Sequence, residues 1–125
     1  MRNICLRSAS SQLFPFFFLL VSSSSSSQGH CHVYERIYPN VNGTVMVKTP
    51  TNVYLNPNAT AYVVQGTGGA YYDDTWVDPQ PAWSALRISH EYGLGLVEAN
   101  LTTLTYSFIL EKDDSIKDQF FIVKE

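Results

Sequence analysis

The last third of the chain leaves little freedom in how it folds. From Leu101 to Leu110 the residues alternate, with Leu101, Thr103, Thr105 and Ser107 on one side and Thr102, Leu104, Tyr106 and Phe108 on the other. A period of two marks a half-buried strand. Tyr92 to Ala99 alternates around Gly93 and Gly95, and Lys117 to Val123 closes on Phe120-Phe121-Ile122-Val123. The polar run Glu111-Lys112-Asp113-Asp114-Ser115 separates the last two segments. Links this short join antiparallel neighbours. Residues 92–123 are therefore expected to form a three-strand antiparallel meander without a long helix.

The same grammar runs upstream. Val33 to Tyr38 is short and aromatic-rich, and Thr44-Val45-Met46-Val47 follows the turn signal Asn42-Gly43. Ala59 to Gln65 stops at Gly66-Thr67-Gly68-Gly69, read as a strand-ending turn with positive-φ positions. Residues 71–90 hold both Trp residues, Pro79 and Pro81, and read as a long loop with at most one helical turn. No helical period appears beyond the N-terminal segment, no repeat is visible, and about six strands are expected. A chain of 125 residues, 45% of them apolar, is enough for one domain. A net charge of −3 without a Lys/Arg cluster argues against a nucleic-acid partner.

Residues 1–28 stand apart from a body of 29–125. Arg2 and Arg7 precede the nine-residue apolar run Leu13 to Val21, and Ser22 to Ser27 follow it. A basic start, a short apolar run and small residues behind it describe a secretory signal peptide. The run is too short to span a bilayer, which takes about 20 helical residues. A second reading remains open. From Leu13 to Ser27 every residue except Val21 has codons beginning with two pyrimidines, and Gln28 then Gly29 fit CAG followed by G. That is the pattern of a translated intron end, with true coding sequence from Gly29. On either reading residues 1–28 are expected to stay unpacked against the body. On the first, Cys5 leaves with the signal, and Cys31 remains alone, either in an intermolecular bridge or, as the favoured reading, as a small buried thiol.

Three sequons stand in the body, at Asn42, Asn58 and Asn100, each with Thr two residues on. They point to a secreted, glycosylated protein, with Asn42 and Asn58 in the more turn-rich sequence. Gly29-His30-Cys31-His32 is the one constellation of metal-ligand type. On an extended segment His30 and His32 point to the same side, and imidazole suits zinc, iron and manganese-class ions. His90 reads as a solvated loop residue, and Asp73, Asp74 and Asp78 around Trp76 as a solvated acidic loop. Gly66-Thr67-Gly68-Gly69 meets neither the dinucleotide fingerprint nor the phosphate-binding P-loop, and Ser84 lacks a nucleophile-elbow frame.

The run Gly29-His30-Cys31-His32-Val33-Tyr34-Glu35-Arg36 resembles the last metal motif of the purple acid phosphatases. Tyr62 to Ala70, then Pro81-Ala82-Trp83-Ser84 with Arg87, then Glu91 to Gly95, resemble that family's following segments in the same order. Asn100 to Tyr106 and Asp113 to Phe120 resemble its closing hairpin, so the likeness covers residues 29–125. The resemblance implies a mainly β fold: antiparallel strands and a meander forming the C-terminal part of the α/β sandwich of a metallophosphatase, with the catalytic core missing. It implies a site of Fe(III) and a divalent partner (Zn, Mn or Fe), whose metals generate the attacking hydroxide and neutralise charge developing on a phosphate monoester. His30 matches the ligand of the divalent metal and His32 that of the ferric ion. Tyr34 does not match the family's tyrosinate ligand, which belongs to an earlier motif.

The family's Asp-x-Gly, Gly-Asp-x-x-Tyr, Gly-Asn-His-Glu/Asp and Val-x-x-His motifs do not occur in this sequence. Two imidazoles cannot hold two metals without the ligands those motifs carry. Glu35, at an odd offset from His32, faces away on an extended strand and does not bridge. The expected function is the C-terminal part of an acid phosphatase, inactive as the isolated chain, with no catalytic residue of its own. The alternative is a secreted, glycosylated β-rich binding module. A stand-alone hydrolase is the weakest reading, for want of carboxylates placed to bridge metals.

Overall fold

The computed structural model describes residues 25–29, 31–73 and 76–125. Among them the regular elements are all strands: β1 (Ser25–Gln28), β2 (Tyr34–Val41), β3 (Thr44–Val45), β4 (Val53–Leu55), β5 (Thr60–Gln65), β6 (Ser84–Ile88), β7 (Gly93–Ala99), β8 (Thr103–Leu110) and β9 (Ile116–Val123). They form two sheets. The first runs β1-β5-β2-β3, with β6 also on β2; the second runs β4-β9-β8-β7.

The second sheet contains the expected meander. β7, β8 and β9 pair antiparallel in chain order, Gly93 facing Leu110 and Thr103 facing Val123. In the polar hairpin between β8 and β9, Asp113 Oδ1 accepts from Ser115 Oγ at 2.6 Å and from its N–H at 3.0 Å. The short β4 then adds in parallel to β9, Val53 opposite Phe121.

In the first sheet β2 is central. β5 lies antiparallel on one edge; the other is shared by β6, over Tyr34 to Ile37, and β3, over Asn40 and Val41. The handover falls at Pro39, which has no N–H to donate, and the β2–β5 register shifts between Ile37 and Asn40. The Asn42-Gly43 turn behaves as its sequence demands. Both residues have positive φ, 50° and 80°, matching the twist of a two-residue hairpin.

The core lies between the sheets. Tyr34, Ala61 and Val63 from the first meet Tyr54, Tyr106, Phe108, Leu110, Phe120 and Ile122 from the second. Tyr34 stacks on Phe108 with centroids 4.3 Å apart, and Tyr106 on Phe120 at 5.3 Å. The inward side of β8 carries Tyr106, Phe108 and Leu110, which lie on one of the two sides its alternation separates.

Four expectations need correction. Ser25–Gln28 is not unpacked: β1 pairs parallel with β5, Ser25 opposite Ala61 and Gln28 opposite Val64. Short polar serines carry little strand signal, and the pairing comes from the free edge of β5. Residues 71–90 are not all loop, since β6 pairs with β2 there. The described residues of 29–125 hold eight strands, β2 to β9, rather than the six or so expected there. Cys31 is half-buried and disulfide-bonded rather than a free buried thiol; the other cysteine, Cys5, lies outside the described residues. No helix among the described residues is long and apolar enough to cross a membrane.

Candidate functional site

The candidate site lies where the chain enters β2. His30 falls outside the described residues. Cys31 to Val33 is bent rather than extended, closed by Val33 N–H donating to the Cys31 carbonyl at 2.9 Å. Extended backbone begins only at Tyr34. His32 is half-buried, with its ring edge-on to Tyr71 at 4.4 Å. Its Nδ1 is buried and has no hydrogen-bond partner. A buried polar atom left unpaired carries a desolvation cost of about 1–3 kcal/mol, so such atoms are few in folded proteins.

Gly66 fixes this bend from the other side. Its N–H donates to the Val33 carbonyl at 3.1 Å. A Cβ at Gly66 would overlap the Cys31 carbonyl oxygen and meet the Gly29 carbonyl oxygen at 2.8 Å. The glycine turn therefore serves close backbone approach at Gly66. Only Gly69, at φ 110°, uses the positive region expected of the turn.

Just inside the bend, β2 turns charged groups to both faces. Arg36 Nε donates to Asp118 Oδ2 at 2.8 Å, and Tyr34 donates its hydroxyl to the same oxygen at 2.7 Å. Arg36 Nη1 donates to the Tyr54 hydroxyl at 2.9 Å. Arg36 and Asp118 are both buried, so this cluster bolts the first sheet to the second. Burial, reinforced by the Asp118 charge, holds the Tyr34 hydroxyl far above the usual phenol range. Burial also pushes Tyr106 up to about 12. Burial alone pulls the Arg36 guanidinium down, but Asp118 and Tyr54 outweigh it, and the net shift is upward.

On the opposite face Glu35 accepts from Ser84 Oγ at 2.6 Å and from Arg87 Nε at 3.0 Å. Arg87 lies over the Trp76 ring at 4.8 Å and donates through Nη1 to the Val77 carbonyl at 2.9 Å. Glu35 thus ties β6, and through Arg87 the Trp76 loop, to β2.

The other sequence candidates scatter. His90 is exposed, with φ 60° and its ring 5.0 Å from that of Tyr72. Asp78 is exposed, 4.0 Å from Arg87, and Asp74 lies outside the described residues. No group of three or more His, Cys, Asp or Glu among the described residues is suited to a metal ion. The described residues therefore do not form a metal site by themselves; His32 offers one orphaned imidazole nitrogen. Sequence reasoning missed the Tyr34–Arg36–Asp118–Tyr54 cluster. The sequence does not single these charges out, since Arg36 stands beside Glu35 in β2 and Asp118 between Lys117 and Gln119 in β9.

The family model described as "Iron/zinc purple acid phosphatase-like protein C" matches residues 59–119, from the start of β5 into β9. Residues 59–119 belong to the purple acid phosphatase family. Acid phosphatase type 7 of Danio rerio is 30% identical over 99 residues, covering 77% of this chain and 22% of its own length. The structure of a purple acid phosphatase isolated from yellow lupin (Lupinus luteus) seeds matches with a TM-score of 0.74 and 27% identity, covering 82% of this chain and 18% of that one. The chain thus spans about a fifth of the length of these two relatives. The purple acid phosphatase resemblance and the mainly β fold expected from it are both borne out. The bend at His32 lies ahead of the matched residues 59–119, and Gly66 inside them holds it in place.

Proposed function

We propose that this chain is the C-terminal part of an acid phosphatase acting on phosphate monoesters, and that it is inactive as an isolated chain. The observation that carries this reading is the orphaned Nδ1 of His32 at the head of β2, in a chain whose following strands belong to the purple acid phosphatases. His30 and His32 each give one ligand to a site of Fe and a divalent metal (Zn, Mn or Fe). The remaining ligands come from a portion outside this sequence. Alone, one imidazole per ion cannot hold a metal pair. The basic start and apolar run ahead of residue 28, with sequons in the body, support a secreted protein.

A second reading, a secreted β-rich interaction module, is favoured by one feature. The edge strand β7 exposes Leu94, Leu96 and Val97, and an open apolar edge favours association.

The test is an assay of the purified chain on an aryl phosphate, with and without added Fe and Zn. No turnover is expected in either condition. Metal-dependent turnover that disappears in the His30→Ala/His32→Ala double variant would overturn the inactive-part reading. For the missing portion, genomic sequence upstream of codon 29 should encode the absent Asp, Tyr and Asn motifs in frame. Stop codons throughout that region, with a secreted monodisperse product, would favour the interaction module instead.

A further inference from the structure

The sequons are far apart in sequence, but strand pairing gathers them. Thr60, which completes the sequon of Asn58, pairs with Asn40, two residues before Asn42. At the end of β9, Val123 pairs with Leu55 on one side and Thr103 on the other. Asn56 N–H donates to the Val123 carbonyl and Lys124 N–H to the Thr102 carbonyl, both at 2.7 Å. Lys124 Nζ donates to the carbonyl of Pro57, the residue before Asn58, at 3.4 Å. Asn42, Asn58 and Asn100 therefore sit at one end of the sandwich. His32 lies at the other, where Gln65 pairs with Tyr34, Gly93 N–H donates to the Thr67 carbonyl at 3.1 Å, and Gly93 pairs with Leu110.

All three asparagines are exposed and lie between strands. Asn100, which the sequence placed at a strand boundary, is in an Asx turn. Its Oδ1 accepts from the Thr102 and Thr103 N–H groups at 2.9 and 2.8 Å, and from the Thr102 hydroxyl at 3.3 Å. A glycan bonds to Nδ2, the other atom of the amide. The same end also bears apolar side chains with no cover. Val41 beside Asn42 and Leu55 near Asn58 are exposed, and Leu101, inside the third sequon, is 99% exposed. Apolar surface left in water is unfavourable, and a bulky solubilising group shields it.

We infer that Asn42, Asn58 and Asn100 carry N-linked glycans that form one carbohydrate cap on this end of the sandwich, keeping the His32 end open. The co-reactant is an oligosaccharide activated as a polyisoprenyl diphosphate in the secretory compartment. Each Asn Nδ2 forms a bond to the anomeric carbon as that carbon's bond to the diphosphate oxygen breaks. The diphosphate leaves with the electron pair, and Nδ2 releases one proton to base. The cap rests on the proposed secretion of the protein and not on phosphatase activity.

The full chain is produced in a eukaryotic secretory host. Glycans are released by a peptide N-glycosidase in heavy-oxygen water, which marks each formerly occupied Asn for peptide mass spectrometry. All three sites are expected to be marked, and Asn42→Gln, Asn58→Gln and Asn100→Gln should each remove one rung of the glycosidase ladder. Trimming the already folded wild-type protein avoids any folding defect of the variants. It should raise hydrophobic-dye fluorescence and self-association, with a smaller rise in Leu101→Ser. Fewer than three marked sites, or trimming that changes neither dye binding nor self-association, overturns the cap.

Discussion

In the second sheet β7, β8 and β9 follow one another along the chain and pair through short turns. In the first sheet β2 collects β5, β6 and β3 from separate stretches, and β1 joins β5 in parallel. The antiparallel meander needs only local alternation and a turn, so each strand meets its partner within a few residues. Apart from the Asn42-Gly43 hairpin that joins β2 to β3, the first sheet must close longer loops before its strands pair, which costs more chain entropy. It compensates with specific groups: the Arg36–Asp118 bolt across the sheets, the Glu35–Arg87 tie within one sheet, and the glycine packing at residue 66. The half that is harder to assemble is the half that holds the His32 bend. The proposed site thus depends on long-range contacts rather than on its own loop.

The strongest test of this contrast removes the bolt. Asp118→Asn leaves the Arg36 charge buried without its partner. Breaking a buried pair from one side typically costs about 3–5 kcal/mol. Urea unfolding followed by tyrosine fluorescence should show that loss, with both sheets melting together. Retention of wild-type stability would mean that the two sheets do not rely on the pair.

A smaller and more local loss is expected at Gly66. The Cβ of Gly66→Ala meets the Cys31 carbonyl, and overpacking of this kind costs about 1–3 kcal/mol. Amide exchange should rise in β5 and β2, the His32 ring resonances should shift, and the amides of β7 and β8 should stay protected. Equal loosening of the meander would dissolve the distinction between the two sheets.

Alkaline pH probes the interface where the sheets meet. The folded state holds Tyr34 and Tyr106 protonated more tightly than the unfolded chain does, where a phenol titrates near 10.0. Their contribution is complete below that value and is lost as pH rises through it, for Tyr106 over the range up to about 12. Denaturation midpoints should therefore fall across this alkaline range. Tyr34→Phe should flatten the fall while lowering stability at neutral pH, because Asp118 loses a donor. An unchanged alkaline slope in Tyr34→Phe would count against a role for its hydroxyl.

The smallest effect belongs to the exposed pair of Lys112 with Glu91, at 2.9 Å. Solvent and salt screen such pairs. Lys112→Ala should leave the thermal midpoint within error, and a clear drop would mean that this surface pair helps to hold the second sheet together.

Much of the molecule was legible in the sequence. The alternation from Leu101 to Leu110 put Tyr106 and Phe108 on one side, which the structure turns to the core. Asn42-Gly43 marked a turn, and the 111–115 run marked a hairpin. These features are local, and strand period and turn chemistry act over a few residues. The motif order from His30 onward also pointed to the purple acid phosphatases, a likeness the family match bears out for residues 59–119.

Other features were decided only by the tertiary structure. β1 and β6 carry weak strand signals of their own and exist as strands because β5 and β2 offer them an edge. His32 sits in a bend rather than on a strand because Gly66 admits the backbone of Gly29 and Cys31 at close range. Arg36 and Asp118 look in sequence like ordinary surface charges. They are buried because two strands 82 residues apart bring them to 2.8 Å, where each satisfies the other. The local pattern of a chain dictates which residues alternate and where it turns. Which charge is buried, and against what, depends on contacts between distant segments, and those exist only once the sheets have met.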